Sequence, residues 1–190
     1  MTTKISVSLS AIDDDFLRQL KGKYSGHTRL DIQVVELDEE PTLTETDFWS
    51  IIDALDWDAS NTDAILEPAI QALSQHPLSH IYQFEDMLSE KLFQLDTAAH
   101  ANVVYPEPQR VSEDGFLYVR AAVLASGQER YTEVLNNPAL LDADDDFEPI
   151  LSLAALAYER KTGKDLDYIA PVDYETYANE AGWALQLISK

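Results

Sequence analysis

Between Ser79 and about Ala99 the apolar residues Ile81, Phe84, Leu88, Leu92 and Leu95 follow one another at spacings of three, four, four and three. This is the period of an α-helix with one buried stripe, and a strand, whose side chains alternate faces, cannot use it. The same period recurs on either side. Thr46 can cap a helix carrying Phe48, Ile51, Ile52 and Leu55. Asn61 or Thr62 can cap the next, with Ile65, Leu66, Ala69, Ile70 and Leu73, which ends before His76-Pro77. After a loop over 102–110 holding Pro106 and Pro108, Ser112 starts a helix that runs to Gly127. Gln128 to Asn136 forms a shorter one stopped at Pro138. Asp146 begins another, with Pro149 in its first turn and Gly163 as terminator. Asp173 caps a last turn through Tyr177, and Trp183 to Ile188 is apolar again. The expected class is mainly α, a bundle of six or seven helices with short connections.

The first 40 residues read differently. Lys4 to Ser10 alternates apolar and polar, and Asp31 to Leu37 is a second β-rich run. Between them Asp13, Asp14 and Asp15 open a short helix with Phe16, Leu17 and Leu20 as its stripe, closed by Lys21 and Lys23 in keeping with the helix dipole. The expectation is a small β-α-β unit with a right-handed crossover. Two strands alone are marginal, so the unit must pack on the rest of the chain or pair with another copy as a homodimer. Two domains follow, a β-α-β appendage over 1–40 and a helical domain over 41–190.

Charge narrows the function. Asp and Glu total 35 against 13 Lys and Arg, a net −22. Residues 41–109 carry Lys91 alone against 12 carboxylates. Such a chain cannot neutralise phosphates, so neither nucleic acid nor an anionic membrane is an expected partner. Without cysteine it has no disulfide, thiolate metal site or cysteine nucleophile. The N-terminus has no apolar leader and no run is long enough to span a bilayer, so a cytoplasmic protein is expected. With six glycines and no P-loop, dinucleotide fingerprint or G-x-S-x-G string, no cofactor is expected.

Several clusters could carry chemistry. Asp56, Asp58, Ser60 and Glu67 occupy positions 1, 3, 5 and 12 of a calcium-loop pattern. Asn61 stands where that loop needs Gly, and an inter-helix turn with Asn61 as cap is the simpler reading. The acidic run Asp142 to Glu148 reads as a solvated loop whose last members cap the following helix. His76 and His80 are four apart, but Pro77 between them and a helix start near Ser79 take them out of chelating geometry. No metal site is expected there. His100 follows Asp96 by four residues and could be oriented by it. Lys91 and Arg120 sit on apolar helix faces, where a cation costs several kcal/mol unless paired. Asp96, Asp114, Glu148, Glu159 and Glu175 are the plausible partners. Lys91, Asp96, Arg120 and Glu148 are therefore candidates for buried ion pairs. Alternatively Asp114, Arg120, Tyr131, Glu175, Asn179 and Trp183 gather into a binding pocket.

Strings along the chain carry a family resemblance. They are Asp47-Phe48-Trp49-Ser50-Ile51-Ile52-Asp53, Phe84-Glu85-Asp86-Met87-Leu88 through Asp96, and Glu113-Asp114-Gly115-Phe116-Leu117-Tyr118-Val119-Arg120. Further along are Phe147-Glu148-Pro149-Ile150-Leu151, Ala157 to Gly163, and Tyr174 to Asn179 with Gly182-Trp183. Over about 45–184 the chain resembles the bacterial domain of unknown function 4240. The resemblance implies a domain start near 45 and brings no functional residues.

Two functions remain in view. A protein-interaction module, inhibitor- or immunity-like, would bind a basic partner steered by the acidic field. A small-molecule-binding protein or enzyme would use the pocket around Arg120, Asp114, Glu175 and Asn179. No catalytic string favours an enzyme, so interaction ranks first.

Overall fold

A computed structural model describes Ile5, Ile12 and residues 14–24, 26–29, 42–106 and 111–184. The chain divides into two compact units, Met1–Asp38 and Glu39–Lys190. In the first, α1 spans Asp14–Lys23 with Lys21 and Lys23 in its last turn. Apart from Ile5, which has no regular structure, the residues of the two strands expected over 4–10 and 31–37 lie outside the described residues.

The second unit is helical, and no strand occurs among its described residues. Its helices are α2 (Glu45–Ile52), α3 (Thr62–Gln75), α4 (Leu78–Leu95), α5 (Ala98–Val104), α6 (Glu113–Ala125), α7 (Gln128–Asn136), α8 (Leu153–Thr162) and α9 (Glu180–Ala184). Short 3-10 turns cover Pro138–Leu140 and Glu148–Ser152. The α4 stripe is sealed, with Ile81, Phe84, Leu88, Leu92 and Leu95 all without solvent contact. Helix α6 is buried nearly all round, which makes it the central element. Helix α4 packs on α6, α8 and α3, and α3 lies along α8.

The helix boundaries correct the sequence reading in three places. Thr44, not Thr46, caps α2, because Asp47 three residues on closes a capping box. The long helix stops at Leu95 rather than near Ala99. Thr97 then caps a separate helix, α5, by accepting from the His100 amide, and α5 takes up residues assigned to a loop. Before α8 no acidic side chain caps the chain. Asp142 to Asp146 form an exposed loop, and the Glu148–Ser152 turn follows Phe147. Asn61 caps α3 and Gly163 ends α8 at a left-handed φ of 69°, as their residue types require.

Candidate functional site

Helix α4 ends inside the protein, where Asp96 N turns to Phe93 O at 3.1 Å and leaves Leu92 O without an amide of the next turn. Leu92 O accepts from Arg120 Nη1 at 2.9 Å, and Phe93 O accepts from Asn179 Nδ2 at 3.1 Å. Arg120 Nη1 also donates to Tyr174 O at 3.0 Å and Nη2 to Thr176 Oγ1 at 3.0 Å. Thr176 passes its own proton to Glu113 O at 2.8 Å. The Phe116 ring lies 4.8 Å from the guanidinium carbon. Arg120 thus closes the negative end of α4 and ties it to the segment after α8. Its side chain is wholly buried and Nε has no partner. Burial lowers its pKa to about 10, against the support of Asp96 and Glu175, so it stays charged at neutral pH.

Asp96, the residue that ends α4, is also fully buried. Its carboxylate accepts from Asn179 N at 2.9 Å, Trp183 Nε1 at 2.9 Å and Tyr177 N at 3.3 Å. Tyr177 takes a left-handed φ of 80° to make this approach. The Asp96 and Arg120 charges feel one another, but each makes its hydrogen bonds to other groups. No carboxylate among the described residues lies within ion-pair distance of Arg120, which corrects the expected buried ion pair. A fork of donors can be satisfied by orphaned carbonyls as well as by a carboxylate.

The binding residues proposed from sequence therefore separate. Arg120, Asn179 and Trp183 meet around Asp96, in packing rather than a cleft. Asp114 and Glu175 are exposed, as is Glu148, which corrects its expected buried pairing. Tyr131 lies elsewhere, beside Lys91. Of the terminal aromatics, Tyr168, Tyr174 and Trp183 are half-buried and Tyr177 is exposed.

Lys91 does have a carboxylate partner, Glu45 on α2, which none of the sequence candidates included. Nζ lies 2.6 Å from Glu45 Oε1. It also faces the rings of Trp49 at 4.8 Å, Tyr131 at 5.3 Å and Phe48 at 5.6 Å. Such faces stabilise an ammonium by about 0.5–2 kcal/mol. Trp49 Nε1 donates to the same Glu45 oxygen at 3.3 Å. The Lys91 hydrogen bond, with smaller help from Trp49, holds the Glu45 carboxyl below its usual range. The cage floors a concavity of about 330 Å³ whose lining includes Glu45, Trp49, Glu90, Lys91, Gln94 and Tyr131. The Tyr131 hydroxyl is 2.9 Å from Gln94 Oε1 and 3.1 Å from Lys91 O, and burial raises its pKa. Sequence reasoning marked Lys91 as a lone cation but could not locate Glu45, 46 residues away.

The calcium pattern is used up by the fold. Glu67 binds Arg160 of α8 through both oxygens, at 2.8 and 2.7 Å, and Asn61 caps α3. Asp56 Oδ1 accepts from the Asp58 amide at 3.2 Å in a local turn. Among the described residues no group of three or more His, Asp or Glu is arranged to hold a metal ion. His100 is oriented by Thr97 and not by Asp96. It is buried, its Nδ1 lies 2.8 Å from Thr97 Oγ1, and its Nε2 lies 3.1 Å from Val134 O. Burial above all lowers its pKa. The histidine pair corrects the sequence reading. Despite Pro77, His76 Nδ1 and His80 Nδ1 stand 3.1 Å apart.

Residues 43–175 match a protein family described as Protein of unknown function (DUF4240). The chain belongs to this family. The match covers α2 to α8 and both the Lys91 cage and Arg120. No match was found among curated proteins, and none among solved structures. Among the described residues no helix is long and apolar enough to cross a membrane.

Proposed function

We propose that this member of the DUF4240 family is a protein-interaction module that binds a basic partner, in the manner of an inhibitor or immunity protein. One observation carries the reading: Lys91 and Arg120 are drawn into the fold and other cations are tied to neighbouring acceptors, while most carboxylates of the described helical unit face out. Lys91 is caged, Arg120 is buried, and Arg160 and Lys161 bond to Glu67 and Ser74 O. Arg130 donates to Leu140 O. Carboxylates from Asp53 and Asp58 through Glu90 to Asp145 and Glu175 stand exposed. A field of one sign speeds encounter with a basic surface and is screened beyond a Debye length of about 8 Å in physiological salt. The test is capture by the full chain at low and high salt, followed by titration of each retained protein. The reading expects a basic partner whose affinity falls with salt and with carboxylate-to-amide changes in 41–109. Absence of any salt-sensitive basic partner overturns it.

A second reading, small-molecule binding, rests on the concavity over Lys91. There an ammonium at the floor offers donors between aromatic walls, and Gln94 and Glu90 supply acceptors. Arg120, with no solvent contact, offers a ligand nothing, so this reading moves from Arg120 to Lys91. The finer expectations rest on sequence pattern alone. They are a β-α-β unit over residues 1–40, pairing of two copies through it, and a reducing bacterial cytoplasm suited to a cysteine-free chain.

A further inference from the structure

We propose that His76 and His80 form a chelating pair for one divalent transition ion of the zinc class. The link between α3 and α4 makes the pair. His76 ends α3 in an extended conformation, with φ −70° and ψ 160°. Pro77 then starts α4 with a ring-locked φ of −54°. The chain reverses direction there, and His76 returns over the first turn of α4, where His80 projects. The Nδ1 atoms face each other at 3.1 Å, with the ring centroids 5.3 Å apart. An ion about 2.0–2.1 Å from both nitrogens would see them at roughly 100°, between the square-planar and tetrahedral values. Imidazole is the ligand type that zinc, copper and nickel prefer, and the hard ions calcium and magnesium do not.

The surroundings fit a cation. Asp47 of α2 lies near enough for both imidazoles to act on it. Its carboxyl is held below its usual range by the hydrogen bonds from Thr44 first and by the two histidines as smaller contributors. His80 is buried, which fixes its ring, while His76 is half-buried and leaves the ion an approach. Among the described residues these two nitrogens converge, and water can complete the coordination. In the ion's absence one Nδ1 donates its proton to the other. Chelation requires that ring to move its proton to Nε2, after which both Nδ1 lone pairs point at the ion. No covalent step is involved.

The test is calorimetric titration of the full chain with zinc chloride in excess magnesium, which occupies the acidic surface. The expected result is one ion per chain, with affinity lowered by roughly tenfold or more in His76→Gln and in His80→Gln. The imidazole nitrogen resonances of both residues should shift on zinc addition in the unsubstituted protein. His76→Gln, at the more exposed ring, decides the matter if the buried His80→Gln fails to fold. Zinc binding that is no stronger than magnesium binding overturns the proposal and leaves an ordinary N–H···N hydrogen bond. So does zinc binding that His76→Gln leaves intact.

Discussion

Replacing Arg120 by methionine keeps most of the side chain's bulk and removes its fork of donors. Leu92 O and Tyr174 O then lose their partner inside the protein, at about 1–3 kcal/mol for each orphaned carbonyl. Thr176 Oγ1 keeps its bond to Glu113 O, so its loss is smaller. Asp96, fully buried, loses the nearest cation that offsets its charge. Against this the substitution relieves the desolvation of a guanidinium, the first cause of its lowered pKa. The balance falls near the 3–5 kcal/mol typical of breaking a buried charged network, which we take as about 4 kcal/mol. That is a large part of the 5–15 kcal/mol that holds a typical domain folded. The assay is guanidinium unfolding followed by far-ultraviolet circular dichroism, with tryptophan fluorescence reporting the Trp183–Asp96 contact. Arg120→Lys divides the effect. It keeps a charge near Asp96 but cannot span acceptors shared between Nη1 and Nη2, so about half the loss is expected. A loss below about 1 kcal/mol for Arg120→Met would refute the reasoning, because desolvation would then outweigh every bond the fork makes.

Glu85 sets a pH dependence. Burial first and Asp86 second push its carboxyl from 4.5 to about 7. A carboxyl raised on folding costs nothing while protonated, so its penalty is absent below the unfolded value and complete above the folded one. Glu85→Gln should therefore gain on the unsubstituted protein by up to about 3 kcal/mol between about pH 5 and pH 8 in denaturant midpoints, and parallel profiles would reject this. Lys91→Met removes the bond to Glu45 and the ammonium over three rings. With Glu45 well exposed, about 1 kcal/mol of stability should be lost in urea unfolding, and Trp49 emission should shift. Glu67→Gln breaks an exposed two-pronged pair between α3 and α8, a small loss of stability in urea unfolding that should vanish in high salt. Deleting residues 1–40 tests pairing of copies: light scattering should report a fall from dimer to monomer, and an unchanged state rejects it.

Local signals explain what was legible. The 3-4-4-3 spacing that seals Ile81 to Leu95 is a property of consecutive residues, as is the capping of α3 by Asn61. The misplaced ends share one cause. Thr44 and Thr46 are both competent caps, and Asp47 favours the first by bonding back to it. Asp96 stops α4 short because its carboxylate is needed by amides more than 80 residues downstream. His76 and His80 defeated a helical rule, because the link between them is not helical. Pro77 breaks the spacing argument yet creates the turn that brings the rings together.

From sequence alone came most of the helices (α5 excepted), the excess of carboxylates and two cations on apolar faces, since each depends on residue type and neighbours within a turn or two. Only the tertiary structure decided what the cations meet. Arg120 reaches Leu92 O, 28 residues back, and Tyr174 O, 54 residues on, and Lys91 reaches Glu45 across 46. A buried donor takes whichever acceptor the packed helices leave uncovered. Which carbonyl or carboxylate that is depends on where the helices end and cross, and no local pattern specifies it.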